Sequence, residues 1–169
     1  IASVSGADGR EAEKRIEPRA EAQDADDLLL KSSAVVVQDQ SSGEVLFEKN
    51  SDAVLPIASI TKLMTAMVVL DAQLPLTETL TIGDEDVDTL KGTRSRLKVG
   101  TQLSREDMLL LALMASENRA ASALSHHYPG GAAAFIEAMN HKAAAIGLKD
   151  TRFSDPTGLT AANVSSARD

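Results

Sequence analysis

The chain has 169 residues, of which 43% are hydrophobic and 2% aromatic, and its formal net charge is −8. So acidic a chain is a poor match for nucleic acid or an anionic membrane, because phosphate binding is built on Lys and Arg, and so few rings give no stacking platform for bases. It has no cysteine, which excludes disulfides, thiolate catalysis and zinc–thiolate sites.

Residues Ile1 to Asp27 are mostly Glu, Asp, Arg, Lys, Ala and Gly, with almost no large apolar side chains. Such a segment buries too little to offset the entropy of ordering it, so 1–27 is expected to be a mobile acidic tail with helical tendency near Ala20. Its first ten residues lack a basic flank followed by an apolar core and do not form a secretory signal. No apolar run reaches the roughly 18 residues a membrane helix needs. Residues 28–169 suit one domain.

Ala34–Gln38 and Glu44–Glu48 are short apolar runs separated by Asp39-Gln40-Ser41-Ser42-Gly43, a β-hairpin with a longer loop. Pro56-Ile57-Ala58-Ser59 leads into Ile60–Leu70, apolar on nearly all sides and expected to be a buried helix. Thr77–Ile82 reads as a short strand. Ser104-Arg105-Glu106-Asp107 has the form of a capping box before a helix over Met108–Ala115. A further helix is expected over Ala120–His127, broken by Gly130-Gly131. Another spans Ala132–Ile146, with Gly147 as its C-cap. Asn163–Asp169 resembles a helix start with a Ser cap. A two-stranded hairpin needs further strands for a stable sheet, so a fragment or a missing partner segment is expected.

The sharpest chemical signal is Ser59-Ile60-Thr61-Lys62. A serine hydroxyl is a weak nucleophile until a base takes its proton. On a helix, positions i and i+3 share a face, so Lys62 lies one turn from Ser59. An amine amid Leu63, Met64, Met67 and Val69 is costly to keep charged; burial lowers its pKa and lets the neutral amine act as a base. The plain alternative is a serine that only caps the helix. Ser116-Glu117-Asn118 follows 57 residues after Ser59. Its hydroxyl and amide suit a proton relay and a carbonyl clamp. Taken alone it is an ordinary polar loop at a helix end.

In this order, Ser-x-x-Lys and Ser-x-Asn resemble the acyl-serine penicillin-recognising enzymes. Pro56–Met67, Leu110–Ala121, His127-Tyr128-Pro129-Gly130-Gly131 and Asp155-Pro156-Thr157-Gly158-Leu159 are similar to the low-molecular-mass penicillin-binding proteins that act as D-alanyl-D-alanine carboxypeptidases and endopeptidases. The wording is most similar to the D,D-endopeptidase branch (penicillin-binding protein 7 type). The resemblance covers about Ser33 to Asp169. It implies an α+β, β-lactamase/transpeptidase-like fold: a helical part plus an N-terminal hairpin, with the C-terminal strands of the sheet missing. Residues 28–169 would be the N-terminal portion of such a domain.

The resemblance also implies a periplasmic peptidase with no cofactor or metal, acting on peptidoglycan peptide stems and trapped by β-lactams. Ser59 would attack a D-alanyl carbonyl and Lys62 would take its proton. Ser116 would relay a proton to the leaving amine, and Asn118 would hold the substrate amide. The family's third motif, Lys-Thr-Gly, is absent: Lys91-Gly92-Thr93 has the wrong order and lies between the first two motifs. A β-lactamase of the same fold and a catalytically inert interaction module are the rival readings.

Other signals carry less. Asp84-x-Asp86-x-Asp88 resembles the start of a calcium loop but has Thr89 and Ser95 where Gly and Glu are needed, and is expected to be a solvated acidic loop. His126 and His127 are adjacent and make a poor chelate.

Overall fold

The computed structural model describes residues 30–169. The tail expected over 1–27 lies outside the described residues. The valine-rich runs form the expected hairpin. Strand β1 (Val35–Gln38) pairs antiparallel with β2 (Val45–Lys49), Val37 opposite Phe47. The Asp39 carboxylate closes its loop by accepting the Ser41 and Ser42 N–H groups and the Ser42 hydroxyl, an Asx-type turn.

A two-residue strand, β3 (Leu55–Pro56), leads through a 3₁₀ turn at Ala58–Ile60 into α1 (Thr61–Asp71). Helix α1 is central, but only half of the expected burial is found. Met64, Ala66, Val68 and Val69 enter the core, whereas Ile60, Leu63 and Leu70 are 63%, 60% and 55% exposed. Positions 60, 63, 67 and 70 form one stripe along the helix; among the described residues Ile60, Leu63 and Leu70 stay open to solvent and Met67 is half-buried.

Strand β4 (Thr79–Thr81) pairs antiparallel with β5 (Gln102–Ser104), burying Leu80 opposite Leu103. Ser104 then caps α2 (Arg105–Met114): its oxygen accepts the Asp107 N–H at 3.0 Å, and its hydroxyl donates to the Asp107 carboxylate at 2.6 Å. This is the expected cap. Helices α3 (Asn118–His126) and α4 (Gly131–Ala145) follow, separated by Gly130 in the left-handed region (φ +86°). After α4 the Leu148 N–H reaches back to the Ala143 carbonyl at 3.0 Å, with Gly147 left-handed, as a C-cap glycine permits. The helices meet over a shared core that includes Met64, Val69, Leu80, Ile82, Met108, Leu124, Phe135 and Met139.

The segment expected to start a helix at Asn163 is a strand instead. β6 (Val164–Ser165) pairs antiparallel with β3, and Val164 also exchanges two backbone bonds with Arg152 on its other edge. Backbone partners on both sides outweigh the local capping preference of Ser and Asp. Arg168 completes the clasp, its guanidinium donating to Glu48, Asp52 and the Ser51 hydroxyl. Residues Ser32–Asp169 make one unit. Among them no helix is long and apolar enough to cross a membrane.

Candidate active site

Ser59 lies in the 3₁₀ turn that opens α1, and Lys62 in the first turn of the helix proper. Their spacing brings Lys62 Nζ to 3.3 Å from Ser59 Oγ. The loop between α2 and α3 brings in the second motif. Ser116, held at φ +52°, donates its hydroxyl proton to Ser59 Oγ at 2.8 Å. A non-glycine residue in that region is strained, and such strain is retained where surrounding contacts over-determine it. Asn118, in the first turn of α3, accepts from Lys62 Nζ at 2.8 Å through Oδ1. All four residues singled out by motif therefore converge on one point. Ser59 and Ser116 are exposed, whereas Lys62 is only 2% exposed.

A fifth element closes the site from below, and sequence reading assigned it no part in the site. The Thr157 carbonyl accepts the third Lys62 N–H at 2.7 Å. The Pro156 carbonyl accepts from Thr65 Oγ1 one turn further along α1. These carbonyls are aimed by Asp155, whose carboxylate accepts the N–H groups of Thr157, Gly158 and Thr160 and the Thr157 hydroxyl. Fully buried Asn163 ties the loop to the helix: Oδ1 accepts the Ser154 and Asp155 N–H groups, and Nδ2 donates to the Asp155 carbonyl and Thr61 Oγ1. Gly158 (φ +83°) passes so close that a Cβ there would stand 1.9 Å from the Ala58 carbonyl oxygen. Ala58, just before Ser59, is itself left-handed at φ +47°. The only sequence signal for this element was the Asp-Pro-Thr-Gly turn, since its contacts run through backbone carbonyls.

The acidic loop before β5 is only partly the solvated loop expected, since Asp84 is exposed but Asp86 is not. Asp86 is buried, not solvated: it accepts the Gly83 N–H and lies 2.8 Å from His126 Nδ1. Asp88 gathers the N–H groups of Leu90, Lys91 and Thr93 and the Thr93 hydroxyl. Those bonds, the Thr93 N–H foremost, hold its carboxyl well below the usual carboxylate range. Thr93 Oγ1 in turn accepts from Asn118 Nδ2 at 3.2 Å. This fixes the amide's orientation, since Lys62 can only donate to Oδ1. A segment set aside for having the wrong motif order thus buttresses the second motif.

Burial lowers the Lys62 pKa, opposed by the negative charges of Asp155 and then Glu117. Two of its N–H groups are spent on fixed carbonyl oxygens. When Lys62 loses a proton, its lone pair is left facing Ser59 Oγ. That is the geometry of a nucleophile beside its base.

The fold is that of the β-lactamase/transpeptidase-like class. The chain belongs to the peptidase S11, D-alanyl-D-alanine carboxypeptidase family, which it matches over residues 19–169. It is 59% identical over 140 residues to the D-alanyl-D-alanine endopeptidase of Pseudomonas aeruginosa, covering 83% of this chain and 45% of that protein. Among solved structures it is similar to the D-alanyl-D-alanine carboxypeptidase DacD of Francisella tularensis (TM-score 0.74, 29% identity, 93% of this chain and 38% of that one). It is also similar to penicillin-binding protein D2 of Listeria monocytogenes in an ampicillin-bound form (TM-score 0.68, 33% identity, 80% of this chain and 57% of that one). The chain spans less than half the length of the curated relatives it matches.

The contact between Gly158 and the Ala58 carbonyl gives a direct test of how the nucleophile's turn is held. Gly158→Ala adds a Cβ into that oxygen at a left-handed position and is expected to cost about 2 kcal/mol or more. Thermal melting should fall by several degrees; an unchanged melt would mean that the two segments are not in fixed contact.

Proposed function

We propose that this chain carries the nucleophile and base of a serine D,D-peptidase, of the endopeptidase type, that cleaves D-alanyl cross-links of peptidoglycan. Residues 28–169 are the N-terminal portion of its transpeptidase-like domain. The observation that carries the reading is Ser59 Oγ within hydrogen-bond reach of both the buried Lys62 amine and the Ser116 hydroxyl. The names of the relatives support the endopeptidase choice, and the ampicillin-bound neighbour supports β-lactams as covalent inhibitors.

In this reading neutral Lys62 takes the Ser59 proton as Oγ attacks the D-alanyl carbonyl. The new bond is Oγ to carbonyl carbon. As the tetrahedral intermediate collapses, the carbon–nitrogen bond breaks and Ser116 passes a proton to the departing amine, drawn in turn from Lys62. Water then attacks the ester and frees Ser59. Asn118 holds the amide of the acyl strand. The acyl adduct from a β-lactam has no leaving group that can diffuse away. A peptidoglycan substrate supports a periplasmic location. The resemblance assigns a Lys-Thr-Gly strand to the far side of the cleft, and with it one of two oxyanion donors; losing one such donor costs about 100- to 1,000-fold in turnover.

The full-length protein is expected to gain the mass of one penicillin in intact-mass spectrometry. Ser59→Ala should gain none; an adduct on the mutant would place the nucleophile elsewhere. Rapid hydrolysis of a chromogenic β-lactam by the wild type would favour a β-lactamase instead.

The acylation rate has a predicted pH dependence. Burial holds the Lys62 pKa below its ordinary value, so the base form grows as pH rises through that lowered pKa. The rate should climb on the acid side and level off below the roughly 10.4 of a free lysine. A rate that is flat across that range would exclude Lys62 as the titrating base.

A further inference from the structure

Ala115 and Glu117, which flank Ser116, help to line a cavity of about 690 Å³. Arg94, Ser95, Arg96, Leu97 and Leu111 complete its lining. Among the described residues neither Arg94 nor Arg96 has a hydrogen-bond or ion-pair partner, and both are exposed. Two unpaired guanidiniums in one cavity stand out in a chain of net charge −8. Glu117, the acidic residue that lines the same cavity, accepts the Arg119 N–H at the start of α3 through Oε1.

The loop presenting the two arginines is anchored at both ends. Upstream, the Asp88 carboxylate binds Thr93 next to Arg94. Downstream, Arg119 Nη1 donates to the Leu97 carbonyl at 2.6 Å, and Ser95 Oγ accepts the Leu97 N–H. A planar guanidinium matches a carboxylate bidentately, and pre-organised arginines lose less entropy in doing so.

We infer that the Arg94–Arg96 cavity is the subsite for the leaving strand of a cross-linked substrate, an acidic peptide whose free carboxylates the two arginines bind. This rests on the peptidase reading above. There Ser116 hands the proton to the departing amine, so the leaving group must lie on the Ser116 side, and both chain neighbours of Ser116 line the cavity. A carboxypeptidase releases a single alanine, whereas a cavity in the peptide-sized range of about 300–1,000 Å³ accommodates a second stem. The two arginines therefore set a preference for cross-links over single stems.

The test uses the full-length protein and two readouts. The first is calorimetric binding of a free tetrapeptide stem with its carboxylates intact or amidated. The second is the ratio of kcat/KM for a cross-linked peptide dimer to that for a single stem ending in D-Ala-D-Ala. Arg94→Gln with Arg96→Gln should weaken stem binding about tenfold or more and lower the ratio by a similar factor, mainly through KM. Amidating the stem should weaken wild-type binding equally and leave the double variant indifferent. Arg94→Lys with Arg96→Lys keeps the charge and should retain part of the binding. Equal binding by wild type and the Gln variant, or a ratio within twofold, overturns the inference. Charge-dependent stem binding by a wild type that cleaves neither substrate would sink the peptidase reading, and the leaving-strand role with it, and leave only a cavity that binds acidic peptides.

Discussion

Burial of one amine organises this structure. Lys62 is 2% exposed, and an amine removed from water must have each N–H satisfied. Three acceptors meet that demand: Ser59 Oγ from the turn that opens α1, Asn118 Oδ1 from α3 and the Thr157 carbonyl from the C-terminal loop. Each comes from a different part of the chain. Satisfying the amine therefore pins the helix, the second motif and the loop to one point, and each pin has its own support. Asp88 and Thr93 hold Asn118 in place; Asp155 and Asn163 hold Thr157.

The same arrangement sets a conflict that suits an acyl-transfer site. Desolvation favours the neutral amine, while Asp155 and Glu117 favour the charged one. A base near that balance can take a proton and return it, as two-step acyl transfer needs. The left-handed Ala58 and Ser116, either side of the nucleophile, fit a site where surrounding contacts sustain local strain. Helix α1 keeps an apolar stripe at Ile60, Leu63 and Leu70 open. The relatives extend well beyond the 45% and 44% of their length that this chain matches, and so have chain available to cover it.

How much of this was legible in the sequence depends on the range of each interaction. Ser59 and Lys62 were readable because i and i+3 on a helix determine their contact locally. The hairpin, the Ser104 cap and the glycine stops at Gly130 and Gly147 were legible for the same reason. Ser116 and Asn118 needed the resemblance, since a polar loop alone says nothing of what it faces. Thr157 escaped notice because it contributes a carbonyl, which any residue has. Asn163 looked like part of a helix start, but its side chain is consumed by Thr61 and the Asp155 loop, and Val164 finds strand partners far upstream. Asp86 looked solvated because its partner, His126, sits on a helix distant in sequence. Thr93 was set aside on motif order, although its hydroxyl orients Asn118.

The central claim is that the fold makes Lys62 a base. Titrating the Lys62 side chain by NMR in isotopically labelled protein, with Lys62→Met to assign the signal, tests it directly. A midpoint clearly below the roughly 10.4 of a free lysine is predicted. A midpoint at or above that value would mean that Asp155 and Glu117 outweigh burial, leaving an ammonium that orders the site without deprotonating Ser59.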